Sequence, residues 1–87
     1  MTRTVGQASW NGVRLEYLVA QDDAGSVGVE IRETVTRSVF ASLFPAGPGN
    51  FEKAEEFAKR LADGLVFADN LPELAEDFRM EQSFTGA

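Results

Sequence analysis

The spacing of apolar residues changes halfway along the chain, and this change constrains the fold more than any other feature. In the first half of the chain, as far as Val35, apolar and polar residues alternate, which is typical of strands with one buried face. From residue 50 onward, apolar residues recur every three or four positions, which is typical of amphipathic helices. The segment PAGPG at 45–49 has two prolines and two glycines and can form neither a helix nor a central strand. We therefore expect a sheet over 2–44, a linker over 45–49, and helices after it.

Two turn signals divide the first half into successive hairpins. Asn11-Gly12 is the strongest short signal for a two-residue hairpin turn, and it places Gly6 opposite Tyr17. Further along, Gly25 suits the left-handed position that closes a three-residue loop. Together the two turns also predict these cross-strand pairs: Trp10–Val13, Ala8–Leu15, Asp22–Ser26, Val19–Val29, Tyr17–Ile31, Glu16–Arg32 and Val13–Val35. The aromatic residues other than Phe84, with Trp10 included, are expected in the core because they fall at core-facing positions.

After Val35 the alternation slips. The segment 36–44 is either a short fourth strand near 38–43 or a continuation of the third strand past a bulge. We favour the fourth strand, which gives an antiparallel β-meander of three to four strands.

Two helices are predicted after the linker. The first, 50–63, starts at Asn50 as its N-cap and ends at Gly64 in the left-handed conformation. The second, 70–82, starts with a capping box between Asn70 and Glu73, and the tail from Met80 onward is expected to fray. The apolar stripes are Phe51, Ala54, Phe57, Ala58 and Leu61, and then Leu71, Leu74, Ala75 and Phe78.

The predicted fold class follows from the instability of the parts. Short helices and single hairpins are marginal in water, so the helical stripes and the apolar sheet face must cover each other. The chain is expected to be one α+β domain over 1–87, in which both helices pack on one face of an antiparallel β-meander.

The residue types that the chain lacks narrow its chemistry. Among its 87 residues there is no cysteine and no histidine, so it has no thiolate nucleophile, no disulfide and no imidazole base or metal ligand. The acidic pairs Asp22-Asp23 and Glu76-Asp77 are interpreted as turn chemistry and helix surface. We expect no enzymatic activity, no cofactor and no metal. The lack of cysteine favours the cytoplasm, and no apolar run is long enough to span a membrane.

Charge is the most distinctive property of the second helix. The chain has a net charge of −6, from 14 acidic and 8 basic residues, which repels nucleic acid and anionic membranes and favours a basic protein partner. Between 69 and 81 a single base, Arg79, accompanies five acids. This segment is either a solvated face that keeps the protein soluble or a docking face for a basic partner. The predicted protein-binding residues are Asp69, Glu73, Glu76, Asp77 and Glu81.

These features predict a small acidic protein-interaction module. It would inhibit or regulate a basic nucleic-acid-binding protein, for example a nuclease, without binding nucleic acid itself. The alternative is a structural or assembly domain without catalytic activity, which forms a homodimer through a sheet edge or through the outer sheet face. Leu18 and Ala20 fall on that outer face and motivate the alternative.

Eleven positions between 17 and 78 carry a resemblance to a known family. They run from a tyrosine-containing strand through a second strand and a helix to an apolar connector, a proline and a closing acidic helix. They are Tyr17, Val29, Ile31, Phe57, Leu61, Val66, Leu71, Pro72, Leu74, Asp77 and Phe78. In this pattern the chain resembles a family of short bacterial proteins labelled only as a domain of unknown function, which implies a fold and no activity. In size, charge and class it is also similar to phage-encoded inhibitors that mimic DNA, among them anti-CRISPR proteins.

Overall fold

The computed structural model describes residues 2–34 and 38–85, with side chains as far as Glu81. Its strands are β1 (Thr2–Trp10), β2 (Val13–Gln21), β3 (Val27–Glu33) and β4 (Ser38–Phe44), and its helices are α1 (Asn50–Asp63), a 3-10 turn (Ala68–Asn70) and α2 (Leu71–Thr85). The strands form one antiparallel sheet in the order β1-β2-β3-β4. Helix α1 packs over β1, β2 and β3, and α2 packs over β4. The predicted α+β class, a β-meander followed by two helices on the sheet, is confirmed.

Both predicted hairpins are present. Asn11 and Gly12 have positive φ angles of 53° and 82°, as the predicted turn requires. In the second loop the backbone N–H of Asp22 donates to the carbonyl oxygen of Ser26 at 3.0 Å, and Gly25 has a φ of 91°. The predicted pairs of β1 with β2 and of β2 with β3 all occur among the described residues. The pair of Val13 with Val35 lies outside them.

The ends of α1 differ from the prediction. Asn50 is the first helical residue and not the N-cap, and Gly49 precedes it with a φ of 77°. The Asn50 side chain instead donates to the carbonyl oxygen of Pro45 at 2.8 Å. At the other end Gly64 has a φ of −88°, and the left-handed residue is Leu65, with a φ of 53°. The helix therefore closes one residue later than its glycine indicated.

Helix α2 is also longer than predicted. It starts at Leu71 and not at residue 70, because the 3-10 turn occupies the preceding three residues. A carboxylate oxygen of Glu33 accepts a hydrogen bond from the backbone N–H of Ala68 at 2.9 Å. This bond satisfies the first backbone N–H of the 3-10 turn, which has no partner within the turn itself. The helix continues to Thr85, three residues beyond the predicted end at 82, and 86–87 lie outside the described residues.

The core lies between the sheet and the helices. Trp10 was expected there and is instead 55% exposed, because it ends β1 beside the solvent-exposed turn. On the outer face, which the helices do not cover, Glu16 lies opposite Arg32 as predicted. The Arg32 guanidinium, however, binds Glu30 on its own strand at 3.1 Å. The core residues are Leu15, Tyr17, Val19, Val27, Val29, Ile31, Leu43, Ala54, Phe57, Ala58, Leu61, Ala68, Leu71, Ala75 and Phe78.

Candidate protein-docking face

The five predicted binding residues all lie on the surface. Asp69 lies in the 3-10 turn, and the others lie on α2. Helix α2 buries its opposite side, where Leu71, Ala75 and Phe78 are only 0%, 2% and 3% exposed. As predicted, the helix lays its apolar stripe against the core and turns its carboxylates to solvent. The exposed acids are Asp69, Glu73, Glu76, Asp77 and Glu81.

The four carboxylates of α2 share one side of the helix, which we call the acidic face (Glu73, Glu76, Asp77 and Glu81). With about 100° of rotation per residue they span an arc of about 140°. Arg79 lies outside this arc, about 60° beyond its edge by the same geometry. Met80 lies within it and is 65% exposed. The acidic face therefore combines carboxylates with an accessible apolar side chain and contains no base.

One end of the acidic face contacts α1 through Arg60. The guanidinium of Arg60 lies 3.7 Å from a carboxylate oxygen of Glu81 and 3.0 Å from one of Glu56. Its central carbon is 5.7 Å from the centroid of the Phe78 ring. Because all three charged side chains are more than half exposed, these ion pairs contribute little to stability. Among the described residues, no ion pair involves the other three acids of the face.

A groove of about 270 Å³ opens between α1 and α2, next to the acidic face. We call it the inter-helix groove. The rings of Phe57 and Phe78 stack in it with centroids 4.5 Å apart. Two acids, Asp77 and Glu81, belong both to its rim and to the acidic face. Its apolar lining is Phe57, Leu61, Val66, Leu74 and Phe78, and its charged lining is Arg60, Asp77 and Glu81.

Two polar contacts, which the sequence patterns do not predict, hold the segment between the helices against the sheet. The Tyr17 hydroxyl donates to the carbonyl oxygen of Val66 at 2.8 Å, next to the bond from Ala68 to Glu33. Burial, and then the charge of Glu33, raise the pKa of Tyr17 above its usual value. These contacts fix Val66 as one wall of the inter-helix groove. The alternation of β3 gives a signal for Glu33, because it falls on the inward side together with Ile31.

This region combines exposed carboxylates with an apolar groove. The carboxylates attract cations and accept hydrogen bonds, and the groove offers apolar contact. Within 2–34 and 38–85, no cluster of three or more acidic side chains has the spacing to hold a metal ion. None of the helices described is long and apolar enough to cross a membrane. Comparison with known proteins gives no match to a family model, to a curated protein or to a solved structure.

Proposed function

We propose that this protein is a non-catalytic interaction module that acts in the cytoplasm by docking its acidic face on the basic surface of a nucleic-acid-binding protein. In this role it inhibits or regulates its partner. The observation that carries the proposal is the exposure of four carboxylates on one side of α2 with no base among them. Charge complementarity of this kind accelerates association and selects partners of opposite charge.

The charge density along α2 supports a partner that normally binds nucleic acid. From Glu73 to Glu81 the helix rises about 12 Å, at about 1.5 Å per residue. Its four carboxylates are then about 4 Å apart on average along the axis, at intervals of about 4.5, 1.5 and 6 Å, against roughly 3.4 Å per phosphate of one DNA strand. A basic surface that accepts a row of phosphates can therefore accept this helix, in the manner of a DNA-mimicking inhibitor.

The test reverses the charge of the acidic face. A partner captured on the immobilised protein is identified, and its affinity is measured for the wild type and for Glu73→Lys/Glu76→Lys/Asp77→Lys. We expect the variant to lose affinity by about 100-fold or more, because three attractive contacts become repulsive. Duplex DNA should compete with the wild-type protein for the partner.

A matched control separates the acidic face from net charge. Asp23, Glu52 and Asp63 are exposed and lie outside α2, and their joint replacement by Lys changes the net charge equally. The affinity of this control variant for the partner should fall by less than about 10-fold, since long-range charge effects are screened at physiological salt. A partner that binds the acidic-face variant as well as the wild type would contradict the proposal.

The homodimer alternative is supported by one residue of the outer face. Leu18 lies there as predicted but is only 3% exposed, whereas Phe40 is 54% exposed. Phe40 lines a groove of about 240 Å³ together with Ala20 and Ser42. Light scattering at high protein concentration tests this alternative. It predicts a dimer that dissociates in Phe40→Ser, and a monomer at all concentrations excludes it.

A further inference from the structure

We propose that the inter-helix groove receives one bulky apolar side chain from a basic segment of the partner, whose lysines and arginines bind the acidic face. This inference rests on the proposed function and adds the class of segment that is recognised. The occupant is a cationic segment with a hydrophobic anchor, and a uniformly basic segment would bind less well.

The size and lining of the groove suit such an anchor. Apolar cavities of about 150 Å³ admit a benzene molecule, and this groove has about 270 Å³. Leu74 and Val66 in its lining are half-buried, so an incoming ring or leucine side chain would remove their remaining surface from water. Burial of this kind provides a favourable contact that a purely basic segment cannot make.

The rim shows which charge the occupant carries. In the unbound protein Arg60 places its guanidinium over the Phe78 ring and next to Glu81. Exposed ion pairs of this kind are weak, so a partner's arginine or lysine can replace Arg60 at these carboxylates. When the partner's cation displaces the Arg60 side chain, the Phe78 ring becomes accessible to the apolar anchor.

The groove and the acidic face are continuous. Asp77 and Glu81 belong to both, and Leu74 precedes them by one and two helical turns on the same side of α2. A segment that lies along α2 therefore contacts the groove with one side and the carboxylates with the other. This continuity favours a single segment with an apolar residue between basic ones.

The test uses two short synthetic peptides, rich in lysine and arginine, that differ only in a central phenylalanine or alanine. Binding to the 87-residue chain is measured by fluorescence polarisation at low salt. The phenylalanine peptide should bind about 10-fold tighter, as expected for one buried aromatic anchor. In Leu74→Gln this preference should fall below about 2-fold, because the groove loses an apolar wall but no charge changes.

Met80→Gln is the matched control. It removes an exposed apolar side chain of the acidic face outside the groove lining, so it should keep the preference. Methyl NMR of the wild-type protein gives a readout that needs no variant. The methyl signals of Leu61, Val66 and Leu74 should shift with the phenylalanine peptide and not with the alanine peptide.

The outcomes separate the two proposals. Equal binding of both peptides to the wild type, together with loss of binding in the acidic-face variant, overturns the groove inference and leaves the proposed function standing. Failure of both peptides to bind at low salt counts against both. If Leu74→Gln does not fold by circular dichroism, the methyl shifts decide, and shifts that avoid the groove overturn the inference.

Discussion

At the scale of single residues, the end of α1 shows how the chain closes a helix without using its glycine. The N–H of Val66 donates to the carbonyl oxygen of Leu61 at 3.1 Å, and that of Leu65 donates to Ala62 at 3.2 Å. This pair of bonds is the Schellman arrangement, which requires a left-handed residue at position 65. Leucine in that conformation is strained, and its half-buried packing against the core offsets the strain.

Gly64→Ala tests this description. Because Gly64 has a negative φ of −88°, and the nearest atom to an added Cβ is a carbonyl oxygen at 3.4 Å, alanine fits. We expect the free energy of unfolding to stay unchanged or to rise by about 0.4–1 kcal/mol, because alanine restricts the unfolded chain. Urea denaturation measures this value. A loss of about 1 kcal/mol would indicate the left-handed conformation that the sequence predicted.

Tyr17→Phe tests the contact between the sheet and the segment that joins the helices. The Tyr17 side chain is fully buried. Removal of its hydroxyl group leaves the carbonyl oxygen of Val66 without this hydrogen-bond donor. We expect a loss of about 1–3 kcal/mol in the free energy of unfolding. Urea denaturation, with Trp10 fluorescence as the probe, measures it, and an unchanged stability would show that water replaces the hydroxyl.

The raised pKa of Tyr17 predicts a dependence of stability on alkaline pH. The unfolded tyrosine ionises near its ordinary pKa of about 10, whereas the folded one keeps its proton to higher pH. This contribution is therefore fully present below about pH 10 and is lost as pH rises through the folded pKa. Since Tyr17 is the only tyrosine, tyrosinate absorbance follows its titration directly. Tyr17→Phe should show a flatter alkaline decline.

At the scale of elements, the two edge strands, β1 and β4, each contain a register shift that interrupts the regular alternation of inward and outward side chains. In β4, Val27 pairs with Phe44 whereas Gly28 pairs with Ser42, so Leu43 is an extra, bulged residue. The bulge makes Leu43 buried and leaves Phe44 able to contact the Phe78 ring edge-on at 6.0 Å. It anchors α2 on β4 and so positions the acidic face.

Gly28→Ala tests how closely β3 and β4 pack. A Cβ at this position would clash with the carbonyl oxygen of Ala41 and with the Phe40 ring. We expect a loss of about 1–3 kcal/mol in the free energy of unfolding, as for other overpacked sites. The double variant Gly28→Ala/Phe40→Ala should recover only part of it, because the backbone clash remains. A neutral effect of Gly28→Ala would contradict the close approach.

At the scale of the whole molecule, the outer sheet face and α2 differ in their balance of charge. The outer sheet face carries both signs, with Arg14 and Arg32 beside Glu16 and Glu30. An excess of negative charge lies on α2, whose four carboxylates are accompanied by one base, Arg79. A molecule with a net charge of −6 repels itself, and this repulsion is strongest where like charges are one helical turn apart.

The salt dependence of stability tests this arrangement. We expect added salt to raise the thermal midpoint of the wild type by a few degrees, roughly the effect of 0.5–1 kcal/mol in a small domain. Glu73→Gln/Asp77→Asn removes one repulsive pair at helical spacing. Its thermal midpoint at low salt should therefore be higher than that of the wild type and should rise less when salt is added. Identical salt responses of the two proteins, measured by differential scanning calorimetry, would place the repulsion elsewhere.

The local features of this protein follow from short-range sequence signals. The turn at Asn11-Gly12, the left-handed Gly25 and the apolar stripe that includes Phe78 depend on residues a few positions apart, whose preferences act before the chain folds. The acidic face was predictable for the same reason, since the helical spacing of its carboxylates can be read from the sequence. The bounds of the helices and the fourth strand followed from the same short-range signals to within a few residues.

Which distant surfaces meet depends on how the helices and the sheet pack together. The hydrogen bond from Tyr17 to Val66 depends on where the helices lie on the sheet, and no periodicity encodes that placement. The burial of Leu18 on the outer face and the exposure of Trp10 at the end of β1 depend on their positions in the sheet, which alternation alone does not give. The inter-helix groove has the same origin, because its walls come from two helices and the segment between them. Local spacing fixes which side of an element is apolar, whereas packing over long sequence separations fixes how much of that side stays accessible to a partner.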